Sequence, residues 1–486
     1  MPWATNFKKG VDAPVWDWLS MFSGGNSNPG TSNTYDGTRY IYWVVQTGTT
    51  TAGSASTTVL YRYDTWTDAW QYLANTTSGN QGCDIEYDPI RNVLYIIHGA
   101  ALTSWQVFNL NTTAVTISNT VCNPWTLTTM APVLPAAANV GASITMPEDL
   151  SVASPIDSGT LTSGSTTTVL NDAVGASFGQ GMIGLQVRMT SGTYNGQSRT
   201  IVSVQSASQL TVAPAFSGAP AAGDAFVVEM QQDTATAGTT TTVTDTKQAW
   251  ATNQYRDMDV VILSGTGAGQ RRRIASNTAT VLTLAAAVTG NARTGPFTTA
   301  PDATSVYRIV PSSDFLYFQP GSTGAALYRI DLATGANAAA WATLTSAPAT
   351  PGGGANTFFP QGYAPYSLLM LRGGATNTYY IYSIGLNTWA TPTVYTGSET
   401  FTTGATAAML HGKRRILIQK EGSVRLYALN LTTGILEPFG TMPYANPATY
   451  EGKRARYIKT ADGMEWLYIM RASGPEFFRV AMEWLV

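Results

Sequence analysis

The sequence predicts an all-β fold: a six-bladed β-propeller with two small β-modules inserted into it. A cassette of short strands separated by glycine-containing turns recurs six times, at a spacing of roughly 50 residues. One longer interval between cassettes holds a different segment that is itself repeated. Charged residues make up only 12% of the chain, and Thr, Ser, Asn and Gly supply the remaining polarity, which suits strands and tight turns.

The cassette is clearest in RRILIQKEGSVRLYALNLTTGILEPF, residues 414–439. A first apolar strand at 416–418 ends at Glu421-Gly422, and a second strand follows through 424–427. After a turn at Thr433-Gly434, a third run ends at Phe439. Strands joined by short glycine-containing turns are typical of an antiparallel meander.

Six cassettes are centred on Tyr42, Tyr95, Tyr317, Leu369, Leu417 and Tyr468. A propeller blade has four strands, so each cassette needs one more strand before it. Candidates are CDIEYD before the second cassette, VGASITM at 140–146 for the third, and TTGATAAML before the fifth. The step from Tyr95 to Tyr317 exceeds one period by roughly 170 residues. We therefore expect an insert at 150–311 that interrupts the first hairpin of blade three, since loop tips tolerate insertions.

The insert repeats internally. SGTYNGQSRTI at 191–201 matches SGTGAGQRRRI at 264–274, which predicts two modules at 156–230 and 231–310 and assigns 1–149 and 312–486 to the propeller. The SGT-x-x-G-Q segments are expected to be hairpin turns whose glycines take positive φ.

One acid–base combination occurs in both repeats of the insert. Asp172 and Arg199 recur as Asp245 and Arg272, so an ion pair is predicted in each module, worth about 0–1 kcal/mol if exposed.

The ring needs closing at its ends. The last cassette reaches Val486, so we expect residues 15–22, with Trp16 and Trp18, to pair with or pack on 477–485. Closure would remove exposed edge strands, which invite aggregation.

Composition argues against several classes of protein. A net charge of -2 gives no bulk attraction for nucleic acid or for an anionic membrane. The amino terminus lacks an apolar signal-peptide core, and apolar runs such as 41–45 are far shorter than a membrane span. Cys83 and Cys122 are expected as free buried thiols, with a single disulfide as the alternative. With only His98 and His411, we expect no zinc site.

Several side chains could carry chemistry, but each has a structural interpretation. Asp64, Asp331 and Asn430 follow the second cassette strand; turn capping is favoured over a calcium site. Three alternating carboxylates could face a pocket or solvent: Asp84, Glu86 and Asp88. The basic runs could form a solvated face or contact a polyanion or protein; they are Arg271, Arg272, Arg273, Lys413, Arg414, Arg415, Lys453, Arg454 and Arg456. Five tryptophans could stack on sugars or fill the core: Trp3, Trp16, Trp18, Trp66 and Trp70. No catalytic, cofactor-binding or metal-binding residue is assigned.

A family resemblance bears on function. The cassettes resemble degenerate kelch-type propeller repeats, without the fuller Gly-Gly and Tyr/Trp signature of that family. SGTGAGQRRRIASNTATVLTL and SGTYNGQSRTIVSVQSASQLTV resemble small β repeats of structural proteins from tailed bacteriophages and prophages. This implies a virion component of the tail, neck or baseplate that is made in the host cytoplasm and contacts its own copies and other virion proteins.

Two modules leaving one hairpin are expected to project from the ring and mediate assembly, while the propeller serves as a rigid platform. The alternative is a carbohydrate-binding or polysaccharide-degrading propeller acting on a cell-surface glycan. Neither function requires a cofactor, a membrane or specific nucleic acid.

Overall fold

A computed structural model describes most of the chain. The described residues are 17–20, 31–47, 57–77, 79, 81–147, 155–175, 178–288, 291–332, 340–360, 363–397, 399–410, 413–445, 447, 455–460, 463–471 and 474–482. Trp3, Trp16, His411, Lys453 and Arg454 lie outside these ranges. In the described part the regular elements are strands and two short 3₁₀ turns, Gln180–Met182 and Gly321–Thr323, so no helix there could cross a membrane.

The strands fall into three groups along the chain. Before the insert they are β1 (Asp17–Trp18), β2 (Ser32–Tyr35), β3 (Tyr40–Thr47), β4 (Thr57–Asp64), β5 (Ala69–Thr76), β6 (Cys83–Asp88), β7 (Val93–His98), β8 (Trp105–Asn109), β9 (Val115–Ile117), β10 (Thr120–Cys122), β11 (Leu127–Thr129) and β12 (Ser143–Thr145). In the insert they are β13 (Asp157–Thr160), β14 (Val169–Asn171), β15 (Gln186–Met189), β16 (Ser198–Ser206), β17 (Gln209–Ala213), β18 (Ala225–Glu229), β19 (Gln232–Thr234), β20 (Ala237–Thr239), β21 (Thr242–Thr244), β22 (Asp259–Ser264), β23 (Arg271–Asn277), β24 (Val281–Leu284) and β25 (Val306–Val310). After the insert they are β26 (Phe315–Gln319), β27 (Leu327–Asp331), β28 (Ala342–Leu344), β29 (Asn356–Phe358), β30 (Ser367–Leu371), β31 (Thr378–Ser383), β32 (Thr388–Trp389), β33 (Thr393–Val394), β34 (Thr406–Leu410), β35 (Arg415–Gln419), β36 (Arg425–Asn430), β37 (Ile435–Thr441), β38 (Ala455–Lys459), β39 (Glu465–Met470) and β40 (Phe477–Ala481).

Six antiparallel sheets carry the recurring cassettes, which confirms the all-β prediction. We number them sheets 1 to 6: β2-β3-β4-β5, β6-β7-β8-β11, β12-β26-β27-β28, β29-β30-β31-β32 with β33 beside β31, β34-β35-β36-β37, and β38-β39-β40-β1. Each cassette supplies the second and later strands of its sheet. The strand that the sequence places before a cassette is the first strand, as in β6 (CDIEYD).

Neighbouring sheets pack face to face around a closed circuit. Each shared core contains buried residues of both sheets, for example Val44 and Ile96 (sheets 1 and 2), Ile97 and Phe318 (2 and 3), Tyr317 and Tyr382 (3 and 4), Leu371 and Ile418 (4 and 5), Leu417 and Ile469 (5 and 6), and Phe477 and Trp43 (6 and 1). Because both faces of each sheet are covered, second strands such as β7 and β26 are continuous buried runs rather than alternating ones.

The amino-terminal strand completes sheet 6. Asp17 is the register partner of Arg479, and Trp18 is the partner of Phe478, with 4.7 Å between the centroids of the latter two rings. The predicted closure is therefore confirmed for Trp18, while Trp16 lies outside the described residues.

The insert leaves sheet 3 between its first two strands. β12 pairs with β26 although residues 146–314 separate them in sequence, the pairing expected of an interrupted hairpin. Within the insert, one six-stranded sheet has the order β13-β18-β15-β16-β17-β14, and one seven-stranded sheet has the order β19-β25-β22-β23-β24-β21-β20. In the two SGT-x-x-G-Q turns Gly196 and Gly269 both have φ of 85°, which agrees with the turn prediction.

The predicted ion pairs of the insert are wrong. In the first module, Asp172 accepts the backbone N–H groups of Val174 and Gly175 and so caps a turn. Arg199 lies over Phe216 and donates from Nε to the carbonyl of Ala215.

The second module repeats both roles, the buried acceptor Asp and the Arg packed on a Phe ring. Asp245 is buried and accepts the N–H of Lys247 and the hydroxyl of Tyr307. Arg272 lies over Phe297 and donates to the carbonyl of Pro296. The recurrence therefore reflects two separate structural tasks, turn capping and ring packing, rather than one contact.

The insert, expected to project from the ring, packs against the sheets. Its core is continuous with Tyr366, Leu368 and Tyr382 of sheet 4. The Tyr366 hydroxyl donates to the carbonyl of Ile309 (2.9 Å) and accepts the N–H of Gln231 (3.0 Å). Apolar residues of the modules are therefore buried against the sheets.

Candidate functional site

The first strands of all six sheets line one central cavity. β2, β6, β12, β29, β34 and β38 each contribute side chains, among them Glu86, Thr145, Ala407 and Arg456. Its volume is about 40 Å³, which leaves room for a few water molecules rather than a sugar or nucleotide. The cavity is therefore too small to be a substrate pocket.

Two acidic residues of β6, Asp84 and Glu86, form hydrogen bonds with neighbouring strands. The buried Asp84 accepts the hydroxyl of Ser32 (2.7 Å) and the N–H of Ile144 (2.9 Å), and so joins the first strands of sheets 1, 2 and 3. Glu86 faces the cavity and accepts the N–H of Met146 at 3.3 Å. Among the described residues lining the cavity Glu86 is the one carboxylate, and glycoside hydrolysis commonly needs two.

Asp88, the third acidic residue of the strand, is buried against Arg91 (2.8 Å) and the hydroxyl of Tyr95 (2.9 Å). Of the two interpretations left open for these carboxylates, a solvent face is wrong for Asp84 and Asp88, and a pocket applies to Glu86 alone.

Turn capping is confirmed at two of the three predicted positions. Asp64 Oδ1 accepts the N–H of Trp66, and Asn430 Oδ1 accepts the N–H of Thr432, each at 2.9 Å. Asn109 accepts the N–H of Asn111 in the same way in sheet 2, a position that sequence reasoning missed.

The third position behaves differently. Asp331 pairs with Arg273 of the insert, and residues 333–339 of its turn lie outside the described part of the chain. In the part that is described, no three His, Cys, Asp or Glu side chains come together as a metal site.

A buried ion network, the Asp314 network, joins the insert to the sheets. Asp314 binds Arg91 of sheet 2 at 2.8 Å and Arg273 of the insert at 2.6 Å. Burial alone would raise the pKa of Asp314, but Arg273, Arg91 and Arg293 together hold it below its ordinary value. The charge on Asp314 is therefore retained in the folded protein.

The network continues into the second module. Asp259 is buried between Arg271 (2.6 Å) and Arg293 (3.4 Å), and burial raises its pKa. The members are four acids and four bases, which leaves the network neutral: Asp88, Arg91, Asp259, Arg271, Arg273, Arg293, Asp314 and Asp331.

Within the described residues, four arginines of the basic runs have partners in the protein rather than forming a solvated face. Arg271 and Arg273 belong to the Asp314 network, and Arg272 packs on Phe297. Arg414, in a turn of sheet 5, binds Asp157 at 3.2 Å and the carbonyl of Ile156 at 2.7 Å. The sequence shows the basic runs directly, but several of their partners lie far along the chain and could not be predicted from it.

Lys413 pairs with Glu465, and Arg456 lines the cavity. The insert itself touches turns of sheets 3, 4 and 5, at Asp331, Tyr366 and Arg414. These turns join first to second or third to fourth strands, which lie at one end of each sheet.

The predicted tryptophans divide between core and surface. Trp70 packs against Trp43 and Phe477, between sheets 1 and 6. Trp18 and Trp66 are exposed, and the guanidinium of Arg39 lies over the Trp66 ring at 4.7 Å. The sequence therefore indicates Trp66 as a candidate for an exposed aromatic surface, but it does not identify the residues around it.

Both cysteines are free and buried, as predicted. Burial raises the pKa of each thiol, which keeps both protonated and poorly nucleophilic at neutral pH.

Comparison with known proteins leaves the family open. No family model matches the chain, and no curated protein matches it. Among solved structures, YjhT has a TM-score of 0.24 at 16% identity, over 32% of this chain and 56% of that one. A mitotic checkpoint complex chain has a TM-score of 0.32 at 9% identity, over 99% of both chains. The NanB sialidase from Streptococcus pneumoniae has a TM-score of 0.38 at 9% identity, over 96% of this chain and 70% of that one. At these TM-scores the similarities assign neither a fold family nor an activity.

Proposed function

We propose that the chain is a structural component of a bacteriophage particle, located in the tail, neck or baseplate and made in the host cytoplasm. In this proposal, 1–149 and 312–486 form a six-bladed propeller that acts as a rigid hub. The insert at 150–311 contacts copies of the chain and other virion proteins. The closed circuit of six sheets supports the blade number, and the resemblance of the insert repeats to phage structural proteins supports the setting.

The construction of the centre is the observation that carries this proposal. Side chains of one first strand bind the next: besides the Asp84 contacts, Ser143 and Thr357 hydroxyls lie 2.9 Å apart, and the Thr34 hydroxyl accepts the N–H of Tyr87. A centre whose strands are joined by side-chain hydrogen bonds and which has little free space favours a mechanical role over catalysis.

The insert is suited to a fixed contact rather than a flexible one. The Asp314 network and the Tyr366 hydrogen bonds hold it on the hub at several separated points. Partners would therefore meet a surface whose orientation is set before binding, which lowers the entropy lost on assembly.

Surface variants of the insert test the proposal. Val174 is 91% exposed on the first module, and Leu263 is 42% exposed on the second. Val174→Asp and Leu263→Asp should leave the unfolding temperature unchanged but reduce incorporation into particles. Tyr72→Asp, on the outer strand of sheet 1, is the matched control. Normal incorporation of both insert variants would contradict the proposed contact.

A carbohydrate-binding propeller is the second candidate, and the exposed Trp66 with its arginine neighbour favours binding over degradation.

A further inference from the structure

Five side chains of sheets 1 and 2 alternate as aromatic rings and guanidinium groups. Arg39 lies between the rings of Trp66 (4.7 Å) and Tyr40 (5.1 Å), and Arg62 lies between Tyr40 (4.4 Å) and Trp125 (5.6 Å). We call Trp66, Arg39, Tyr40, Arg62 and Trp125 the ladder. Stacking of this kind is favourable through cation–π attraction at each step.

On the sheet 1 side, hydrogen bonds to Asp36 and Asp64 fix the backbone that carries the ladder residues. Asp36 Oδ1 accepts the N–H groups of Thr38, Arg39 and Tyr40, at 2.8 to 3.0 Å. Asp64 binds Arg39 Nε at 2.8 Å while it caps the turn of Trp66, and this contact lowers the pKa of Asp64. The first three members are therefore positioned before any ligand arrives.

Trp125 is held on the sheet 2 side. Its backbone has φ of 54°, a conformation that bulky residues seldom adopt, and its N–H donates to the carbonyl of Asn109 at 2.7 Å. Its ring also meets the edge of Phe108 at 6.2 Å. Backbone strain at an exposed tryptophan is more typical of a functional position than of a packing one.

Both ends of the ladder are open. Trp66 is 71% exposed and Trp125 is 43% exposed. The ladder lies at the sheet end that carries the insert, because Arg39, Trp66 and Trp125 occupy the corresponding turns of sheets 1 and 2. The insert covers these turns in sheets 3 to 5 and leaves the ladder uncovered.

The ladder carries an unmatched positive charge. Asp64 neutralises Arg39, whereas Arg62 donates from Nε to the neutral Gln71 Oε1 at 2.7 Å and forms no ion pair within the described residues. The remaining N–H groups of its guanidinium are a fork suited to a carboxylate. The ladder therefore combines two open rings with one cation between them.

We propose that the ladder binds an acidic oligosaccharide. Sugar rings would lie against Trp66 and Trp125, and a carboxylate of the chain would bind Arg62. Exposed polar residues next to ladder members or their partners include Thr67, Gln71 and Thr126, and these can hydrogen-bond sugar hydroxyls. A protein hot spot would instead be ringed by contacts that exclude water. This site deepens the second candidate function, carbohydrate binding, on which it rests, and it does not depend on the assembly role.

Calorimetry on the full chain tests the site. The probes are hexasaccharides of polygalacturonate, hyaluronate and α2,8-linked sialic acid, with maltohexaose as the neutral match. At least one acidic probe should bind more tightly than maltohexaose. Trp66→Ala and Trp125→Ala should each weaken that binding about fivefold or more. Arg62→Gln should remove the preference for the acidic probe. Tyr72→Ala removes an exposed ring outside the ladder and should change nothing.

Three results would overturn the proposal: no acidic probe binds, the ladder variants bind as the wild type does, or Arg62→Gln keeps the full acidic preference. Oxidative footprinting of Trp66 in an assembled particle gives a second readout. Protection there, without sugar binding, would assign the ladder to a protein partner and overturn the glycan site.

Discussion

Arg273 of the insert and Asp314 of sheet 3 form a 2.6 Å ion pair in which both side chains are almost fully buried. Asp314 also holds Arg91 of sheet 2, so one carboxylate links three parts of the chain. Removing one partner of a buried pair leaves an uncompensated charge, which is far more destabilising than losing a surface pair.

Arg273→Gln should therefore lower the free energy of unfolding by about 3–5 kcal/mol in urea denaturation. Arg188→Gln is the matched control, because Arg188 and Glu229 form a more exposed pair in the first module, worth about 0–1 kcal/mol. Equal effects of the two substitutions would show that the Asp314 network does not hold the insert.

Tyr366→Phe should destabilise the contact between the insert and sheet 4. The substitution leaves the buried N–H of Gln231 and carbonyl of Ile309 without their partner, at about 1–3 kcal/mol in unfolding free energy. Tyr380→Phe, at a buried tyrosine of the same sheet, should be near neutral. Amide exchange at Gln231 should speed up in the first variant only, and unchanged exchange would argue against the hydrogen bond.

Truncation before residue 21 should weaken sheet 6. It removes β1, so the edge of β40 and the ring of Phe478 become exposed. We expect a lower unfolding temperature and concentration-dependent aggregation, because an open edge strand pairs with other chains. Truncation before residue 15, which keeps β1, is the control. A chain starting at residue 21 that remains monomeric and equally stable would contradict the closure.

Because of His98, the free energy of unfolding should decrease at acidic pH. Burial lowers its pKa from 6.5 to about 4, although Gln106 opposes the shift. The unfolded chain therefore binds the proton first, so stability is full above pH 6.5 and falls as pH drops through that window to 4. The loss reaches about 3 kcal/mol. His98→Gln should flatten urea-unfolding free energies over this range, and an unchanged slope would assign the acid sensitivity to other groups.

Local patterns in the sequence predicted the sheets well. Apolar runs bounded by glycine turns located the second strands, and the first strand β6 followed from CDIEYD. The repeated SGT-x-x-G-Q turns were also correct, because a turn depends on residues close in sequence. The partners of Arg273 and Arg414 could not be predicted, since they depend on how the insert docks.

The ladder was predicted only through Trp66. Arg39 and Tyr40 lie in a turn that Asp36 organises, and Arg62 meets Trp125 only because sheets 1 and 2 are neighbours. The sequence around Asp36 and Asp64 contained a usable signal, since both acids cap turns next to aromatic residues. The alignment of the two turns with the loop of Trp125 required the three-dimensional arrangement.

Cryo-electron microscopy of particles that contain this chain gives a direct test of the assembly role. We expect several copies of the chain at fixed positions, each a six-bladed ring whose insert, 150–311, contacts a neighbouring copy or another virion protein. Copies that meet their neighbours only through sheets 1 and 2, with the insert facing solvent, would contradict the assembly role. Absence of the chain from purified particles would contradict the structural role altogether.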